Sequence, residues 1–445
     1  MDDQYIDQES LHDPILLLSN ITPQKPTIRS YNPVETRKYF QEAKIVGHQP
    51  KLGGLNFIAC IDETLFIAED DKIFCYNLLG SNFRSRTTIK LDGEAHFIRA
   101  VTMNDNEKAL IVVGEYGLTN MYVKSNGTFK PLKFNSDEES TWSTCFSKQL
   151  GLLITGSNAF TLKCTPIAQN SSDRPFILSG HEHNVPCIDI SSCGQYVASC
   201  SIDCNLKLWH LPTKKCISTW SQPVEVGHEE WMWSVKWIHS KYIFNMTDDS
   251  CSTLSPSSMN KILGSRRSYC FTIEEEEGED SDKEMFPKGE LIVAASRYHL
   301  FLIDGTTMTT LHGIYMDPCN TMIPPVFKIF SRLCLVEVIP ELSLVLVASQ
   351  SDVKVVLLRI VRNVAGSYRL VPEKYLPERQ DTDLMSYDPI NSFCYEKINQ
   401  DDSISLPKFR IYILTYQGAV HSYVISGRRR EGTRIQYLDV SEVIL

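Results

Sequence analysis

The sequence predicts an all-β fold in which small antiparallel sheets are arranged in a ring, as in a β-propeller. A hairpin unit of two strands recurs seven times along the 445 residues, and the units begin at residues 64, 109, 152, 196, 291, 344 and 411. The first four starts are 45, 43 and 44 residues apart. This spacing matches the period of a propeller blade, which is about 40–45 residues.

Each hairpin is accompanied by further strand candidates. Examples are NFIACI at residue 56 and WSTCFS at residue 142, which precede hairpins, and RTTIKLD at residue 86, which follows one. Four short strands per unit is the strand count of a propeller blade. The connections are rich in Gly, Ser, Asn and Asp and show no sustained apolar period of 3.6 residues, which disfavours a helical or α/β fold.

The interval of 95 residues between the fourth and fifth hairpins sets the number of blades. Either one blade carries a long insertion after its first strand, or an eighth, degenerate blade lies there. The segment CSTLSPSS at residue 251 is a poor strand, because it has little apolar surface and a proline that cannot donate to a ladder. We therefore expect seven blades within residues 51–445, with eight as the alternative, and a long acidic insertion near 242–289. Residues 1–50 are expected to form a partly ordered N-terminal extension.

The composition is that of a folded protein, with 42% hydrophobic and 22% charged residues and a net charge of −10. An acidic chain gains no counterion-release affinity for nucleic acid, so we expect no direct nucleic-acid partner. Apolar runs such as LSLVLVAS at residue 342 are far shorter than the roughly 20 residues of a membrane helix. The polar start MDDQYIDQESLHD is unlike a signal peptide, so we expect an intracellular, reducing compartment and free thiols at the fourteen cysteines.

Residues 180–210 contain three histidines and four cysteines, a composition that raises the question of a metal site. If this stretch is a blade, Cys193 and Cys204 lie in turns at opposite ends of one strand, roughly 20 Å apart. Zinc requires sulfur ligands about 2.3 Å from one ion. Cys187 and Cys200 can approach each other, but small core residues are the simpler interpretation of both. We expect no metal and no cofactor.

Residue by residue, the same stretch resembles a WD40 repeat, which opens here with Gly180 and His181 and continues into VASCS and LKLW. The resemblance implies a structural tetrad of His181, Ser199, Asp203 and Trp209 across one blade. A buried aspartate tolerates desolvation only when it is paired, so Asp203 is expected to accept hydrogen bonds from His181 and from backbone donors.

The sequence lacks a Gly-rich phosphate loop, a Gly-x-Ser-x-Gly elbow and a His-Glu-x-x-His motif. Acidic pairs at residues 70–71, 248–249 and 401–402 fall in expected turns, where turn geometry alone favours Asp. We therefore expect a protein-interaction scaffold that is not an enzyme. The alternative is a catalytic or small-ligand propeller that uses its central channel.

Two groups of residues are candidates for partner binding. Trp231 lies on the approach to a first strand, and aromatic anchors dominate interface energetics, although packing between blades is an equal alternative for it. The basic cluster Arg428, Arg429 and Arg430 is expected in a hairpin turn of the last blade. Ser281, in the segment SDKE, fits the pattern of acidophilic kinases and is a candidate phosphorylation site.

The segments HNVPCIDISSCGQYVASCSIDCNLKLW and GHEEWMWSVKW resemble a fungal family of divergent WD-type propellers. Members of that family repress ribonucleotide reductase gene expression and associate with cullin ubiquitin ligases. The resemblance implies an adaptor or substrate receptor in a multiprotein complex that regulates transcription of those genes. Its expected location is the nucleus or the cytoplasm, with protein partners such as a cullin ubiquitin ligase.

Overall fold

The strands form seven sheets, each built on four antiparallel strands, and these sheets are the blades of a β-propeller. The computed structural model describes residues 54–78, 86–125, 128–134, 139–167, 174–223, 230–245, 286–316, 323, 325–363, 365–377, 387–398, 407–429 and 436–443. The prediction of an all-β propeller with seven blades is confirmed. The expected N-terminal extension, 1–50, and residues 246–285 of the acidic insertion lie outside the described residues.

The first four blades follow one another along the chain. Blade 1 contains β1 (Ile58–Ile61), β2 (Thr64–Glu69), β3 (Lys72–Asn77) and β4 (Arg86–Lys90). Blade 2 contains β5 (Ala95–Thr102), β6 (Lys108–Gly114), β7 (Thr119–Ser125) and β8 (Thr128–Lys133). Blade 3 contains β9 (Thr141–Ser147), β10 (Leu152–Ser157), β11 (Thr161–Pro166) and β12 (Phe176–Ser179). Blade 4 contains β13 (Cys187–Ile190), β14 (Tyr196–Cys200), β15 (Asn205–His210) and β16 (Lys215–Ser221).

The remaining blades include the expected insertion point. Blade 5 contains β17 (Ser234–His239), and, after the short strand β18 (Phe244–Asn245), β19 (Glu290–Ala295), β20 (His299–Asp304) and β21 (Thr310–Tyr315). Blade 6 contains β22 (Leu335–Ile339), β23 (Leu344–Ala348), β24 (Val355–Arg362) and β25 (Tyr368–Leu376), and β18 pairs with the end of β24. Blade 7 contains β26 (Ile390–Ile398), β27 (Lys408–Thr415), β28 (Val420–Arg429) and β29 (Gln436–Val443). A helix of one turn, α1 (Pro325–Lys328), precedes β22, and 3-10 turns span Glu115–Gly117, Ser240–Tyr242 and Pro340–Leu342.

The seven hairpins seen in the sequence are the second and third strands of the seven blades. Their signal is strong because these strands are enclosed by neighbouring blades on both faces. Every residue of β10, β14 and β23 is buried, so their sequences are dominated by apolar and small residues. The outermost strand β8 is mostly exposed and polar, which makes outer strands harder to find.

The ring is closed by its innermost strands. Each contacts the next in the order β1, β5, β9, β13, β17, β22 and β26, and β26 contacts β1. At least one hydrogen bond that involves a side chain joins every pair of neighbouring blades. In order around the ring these bonds are Asn56 Nδ2 to Ile98 O (2.8 Å), Arg99 Nη1 to Thr144 O (3.0 Å), Ser147 Oγ to Gly194 O (2.6 Å), Trp237 N to Asp189 Oδ2 (2.9 Å), Lys236 Nζ to Glu337 Oε1 (2.5 Å), Tyr395 Oη to Val338 O (2.7 Å) and Phe57 N to Ser392 Oγ (2.9 Å).

Antiparallel pairing sorts the connections onto two faces of the ring. The turn between the second and third strands of a blade lies on the same side as the loop that enters its innermost strand. We call this side the upper face. The described connections between first and second strands lie on the opposite, lower face.

Candidate functional site

The four residues predicted to form a tetrad lie together in blade 4. His181 is in the loop that enters β13, and Asp203 is in the turn between β14 and β15. His181 Nδ1 is 2.8 Å from Asp203 Oδ2, and His181 Nε2 is 2.6 Å from Ser199 Oγ. The indole Nε1 of Trp209 donates to Ser199 Oγ at 2.8 Å. One consistent proton arrangement runs from the Trp209 indole through the serine hydroxyl and the imidazole to the carboxylate.

Backbone amides complete the surroundings of Asp203. The amides of Glu182 and Asn205 donate to its two carboxylate oxygens at 3.0 and 2.9 Å. Burial acts to raise the pKa of Asp203, but the hydrogen bonds from His181 and from these amides outweigh it and hold the pKa well below its usual value. The carboxylate is therefore charged and fully engaged within the blade, with no oxygen left over for a substrate.

A second network, in blade 5, was not predicted from the sequence. Glu230 lies in the loop that enters β17, and its Oε2 accepts hydrogen bonds from Ser296 Oγ at 2.5 Å and from the amide of Tyr298 at 3.1 Å. The same oxygen is 3.2 Å from His299 Nδ1. Burial acts to raise the pKa of Glu230, yet the bonds from His299 and Ser296 lower it. No spacing in the sequence signals this network, because the insertion separates Glu230 from Ser296 and His299.

Charged side chains of four innermost strands converge on the central channel. Arg99 of blade 2 reaches Asp189 of blade 4, with 2.6 Å between Nη2 and Oδ1, and Lys236 of blade 5 pairs with Glu337 of blade 6. Burial acts to lower the pKa of Arg99, but Asp189 and Glu337 raise it, so the guanidinium stays charged. Because each cation is paired with an anion, these groups neutralise one another and tie the blades together.

The cysteines of blade 4 are arranged as the sequence suggested. Cys193 and Cys204 occupy turns at opposite ends of β14, whereas Cys187 and Cys200 are directly opposed on β13 and β14. Within the described residues, no group of three or more His, Cys, Asp or Glu side chains has the arrangement of a metal site.

Large exposed apolar side chains are concentrated on the upper face. Among the described residues, five of the seven such side chains lie there, namely Tyr116, Phe160, Trp231, Ile329 and Val353. The other two, Leu150 and Ile177, lie in a lower-face connection and on the outermost strand of blade 3. The large exposed apolar side chains of the described residues are thus unevenly distributed between the two faces of the ring.

Trp231, a predicted partner-binding residue, is the centre of one part of this surface. Its side chain is 55% exposed and does not pack between blades. Its ring meets that of the half-buried Trp233 edge to face, with 6.1 Å between centroids. The guanidinium of Arg332 lies 4.0 Å above the ring of Trp233. The ring of Trp231 thus packs against Trp233 and is otherwise exposed on the upper face.

The other predicted partner residues are placed differently. Arg428 and Arg429 lie in strand β28, where they pair with Tyr437 and Gln436 of β29, and not in a hairpin turn as expected. The turn begins later because the ladder between the two strands continues through Arg429. Arg430 and the candidate phosphorylation site Ser281 lie outside the described residues. In the part of the chain that the structure describes, no helix is long and apolar enough to cross a membrane.

Comparisons with known proteins agree with the architecture. A family model for the WD domain, G-beta repeat, matches residues 173–210, which include all four tetrad residues. The chain is 27% identical over 179 residues to a WD40 repeat-containing protein of Dictyostelium discoideum, a match that covers 39% of this chain and 26% of that protein. It is 24% identical over 295 residues to an uncharacterized WD repeat-containing protein of Schizosaccharomyces pombe, covering 55% of this chain and 57% of the relative.

A shorter match is to a WD repeat, SAM and U-box domain-containing protein of Danio rerio, with 39% identity over 64 residues, or 14% of this chain and 13% of the relative. The chain therefore spans from about an eighth to somewhat over half of the length of these curated relatives. All three are described by their WD repeats, and the family model matches the sequence that builds blade 4. With its seven blades and one matching repeat, the chain has the fold of the WD40-repeat β-propellers, a fold that generally serves as a scaffold for protein interactions.

Proposed function

We propose that this protein is a non-enzymatic adaptor that binds a protein partner through its upper face. The observation that carries the proposal is the placement of Tyr116, Phe160, Trp231, Ile329 and Val353 on that face. A contiguous ring of blades holds these side chains, so a partner meets a surface that needs little ordering on binding.

The two best-defined parts of the surface combine an exposed aromatic ring with a polar or cationic neighbour. Trp231 lies beside Trp233 and Arg332, and the ring of Phe160 lies 5.6 Å from that of His183. Aromatic and arginine side chains are enriched among the residues that dominate protein interfaces. These two clusters are therefore the proposed anchors.

The finer part of the proposal comes from the resemblance to the fungal regulators. The adaptor is a substrate receptor that associates with a cullin ubiquitin ligase, in the nucleus or the cytoplasm, and affects transcription of ribonucleotide reductase genes. An acidic insertion with a phosphorylation site at Ser281 and a basic cluster at Arg428, Arg429 and Arg430 are its proposed regulatory and secondary contact elements.

The alternative, a ligand or substrate in the central channel, has one observation in its favour. Charged groups do converge there, and Lys236 and Glu337 line a cavity inside the ring together with Asn56 and Trp233. However, a ligand that takes over Lys236 or Arg99 would have to break a largely buried ion pair, and the anion left behind would lose its partner. We therefore assign these charges to holding the ring.

Affinity purification with mass spectrometry tests the upper face directly. The tagged protein is compared with a Trp231→Ala, Ile329→Ser variant and with a matched Leu150→Ser, Ile177→Ser variant, in which exposed apolar side chains outside the upper face are removed. We expect the upper-face variant to lose a stoichiometric partner that the matched variant retains. Equal loss in both variants, or loss only in the matched one, contradicts the proposal.

The same experiment separates the general proposal from the finer one. A cullin among the stoichiometric partners of the wild-type protein supports the substrate-receptor assignment. A different stoichiometric partner that is lost with Trp231 and Ile329 contradicts the cullin assignment while supporting the adaptor.

A further inference from the structure

Cys187 and Cys200 are directly opposed on the two innermost strands of blade 4. The Cys200 thiol donates to the carbonyl oxygen of Cys187 at 3.5 Å, so its sulfur lies beside the neighbouring strand at the position of Cys187. Directly opposed Cβ atoms of antiparallel strands are about 4.5–5.5 Å apart, and a disulfide needs about 3.5–4.5 Å. A small local closure is therefore enough to join the two sulfur atoms.

The two thiols differ in environment. Cys187 lines the cavity inside the ring, beside Ser234 and Lys236, whereas Cys200 is fully buried behind it. Interaction with Cys200 lowers the pKa of Cys187, although burial opposes it, and Lys236 adds to the lowering. Burial raises the pKa of Cys200 well above its usual value. Cys187 is thus the thiol that forms the reactive thiolate.

The other buried cysteines considered in the described residues do not combine a directly opposed partner cysteine with a lowered thiol pKa. Cys145 and Cys164 both face Ile154, one from each side, so they are two strands, or about 10 Å, apart. Cys60 donates to the Glu396 carboxylate at 3.1 Å, and burial, Cys394 and this carboxylate raise its pKa. Geometry excludes a disulfide in the first case, and a neighbouring negative charge suppresses the thiolate in the second.

We propose that Cys187 and Cys200 form an oxidation site at which hydrogen peroxide produces a reversible disulfide across β13 and β14. The Cys187 thiolate attacks one peroxide oxygen, the O–O bond breaks, and the departing hydroxide takes up a proton to become water. The product is a sulfenic acid on Cys187. The Cys200 sulfur then attacks the Cys187 sulfur, the S–O bond breaks, and a second water leaves. Two thiols are oxidised and one peroxide is reduced to two waters.

Oxidation at this site would act on a strand that makes contacts between blades. Cys187 is two residues from Asp189, which binds Arg99 of blade 2 and the Trp237 amide of blade 5. A covalent link between β13 and β14 therefore fixes the strand that connects three blades at the channel.

Mass spectrometry of the full-length protein tests the site. The folded protein is treated with hydrogen peroxide at neutral pH, remaining thiols are blocked with N-ethylmaleimide, and the chain is cleaved on the amino side of aspartate. Cleavage at Asp173, Asp189 and Asp203 places Cys187 alone in one peptide and Cys200 with Cys193 in the next. A Cys193→Ser variant, with the exposed thiol removed, makes the assignment unique.

We expect peptides 173–188 and 189–202 to be disulfide-linked after peroxide treatment, in both wild type and Cys193→Ser, and separated again by dithiothreitol. In Cys200→Ser, the link is lost and dimedone traps a sulfenic acid on Cys187. The proposal is overturned if folded Cys193→Ser forms no linked peptide under conditions that oxidise the exposed Cys216, or forms it only in urea. The result with Cys193→Ser decides the matter even if Cys200→Ser fails to fold.

Discussion

In both blade 4 and blade 5, a histidine and a carboxylate connect the loop that enters the innermost strand to the hairpin of the second and third strands. The two blades differ in which element carries which group. In blade 4 the entering loop supplies a histidine, His181, and the hairpin supplies the carboxylate of Asp203. In blade 5 the loop supplies the carboxylate of Glu230, and the hairpin supplies His299. In each of these two blades a buried network of hydrogen bonds, here called the tie, joins the loop to the hairpin, and the histidine and the carboxylate have exchanged places.

The two ties differ in extent. The blade 4 network continues through Ser199 to the indole of Trp209, whereas Ser296 of blade 5 donates directly to the carboxylate. Blade 4 therefore links the upper face to Trp209, near the end of its third strand, whereas blade 5 reaches only His299, the first residue of its third strand. A sequence motif based on the residue order of blade 4 therefore does not detect the network of blade 5.

The largest effect on the free energy of unfolding is expected from Trp209→Ala. This substitution removes the tryptophan end of the network, which has no counterpart in blade 5. The Trp209 side chain is almost completely buried, so its loss leaves a cavity and removes one of the two hydrogen bonds of the Ser199 hydroxyl in the tetrad. We expect a loss of about 3–5 kcal/mol in the free energy of unfolding. Urea denaturation followed by far-UV circular dichroism measures it.

Trp231→Ala is the matched control for this substitution. Its side chain is exposed, so the free energy of unfolding should change by less than about 0.5 kcal/mol. Similar losses in the two variants would show that the tryptophan of the tetrad does not fasten the blade.

Neutralising the two carboxylates compares the ties directly. Asp203→Asn disturbs bonds from His181 and from two backbone amides, whereas Glu230→Gln disturbs bonds from a histidine, a serine and one backbone amide. We expect losses of about 2–3 kcal/mol and about 1 kcal/mol, respectively, in the free energy of unfolding. The same urea denaturation measures both, and a larger loss for Glu230→Gln would reverse the ranking of the two blades.

The sequence predicted what depends on local pattern. Paired apolar strands located all seven hairpins, and the resemblance of residues 180–210 to a WD40 repeat located His181, Ser199, Asp203 and Trp209, because blade 4 is built from one uninterrupted segment. The strand ladder in blade 7 was less predictable. Arg428 and Arg429 have no apolar pattern, so only the pairing with β29 shows that they belong to a strand.

Contacts between segments that are far apart in the chain could not be predicted from the sequence. Glu230 and His299 are separated by the insertion, which places 44 residues between β18 and β19. Arg99 and Asp189 come from blades 2 and 4, so their pairing depends on the closed ring and on the length of an arginine side chain. No local spacing encodes either contact.

The smallest effect is a pH dependence that distinguishes the two ties. Since the pKa of Asp203 in the folded protein lies well below its usual value, its stabilising contribution is complete above about pH 4 and is lost as the pH falls towards the folded-state pKa. The stability difference between wild type and Asp203→Asn should therefore shrink by about 1 kcal/mol between pH 6 and pH 3. Burial lowers the pKa of His312 to about 3, with a contribution from Arg369, and that of His421 to about 4.

These histidines destabilise every variant below about pH 6.5, because the unfolded chain binds protons that the folded state does not, and their effect cancels in the difference. The pKa of Glu230 is also lowered, so the difference for Glu230→Gln should shrink over the same range, but from a smaller starting value. Urea denaturation at half-unit pH steps measures both differences. A constant gap for Asp203→Asn from pH 6 to pH 3 would mean that the charge on Asp203 contributes nothing, and that the blade 4 tie stabilises the propeller through packing and neutral hydrogen bonds alone.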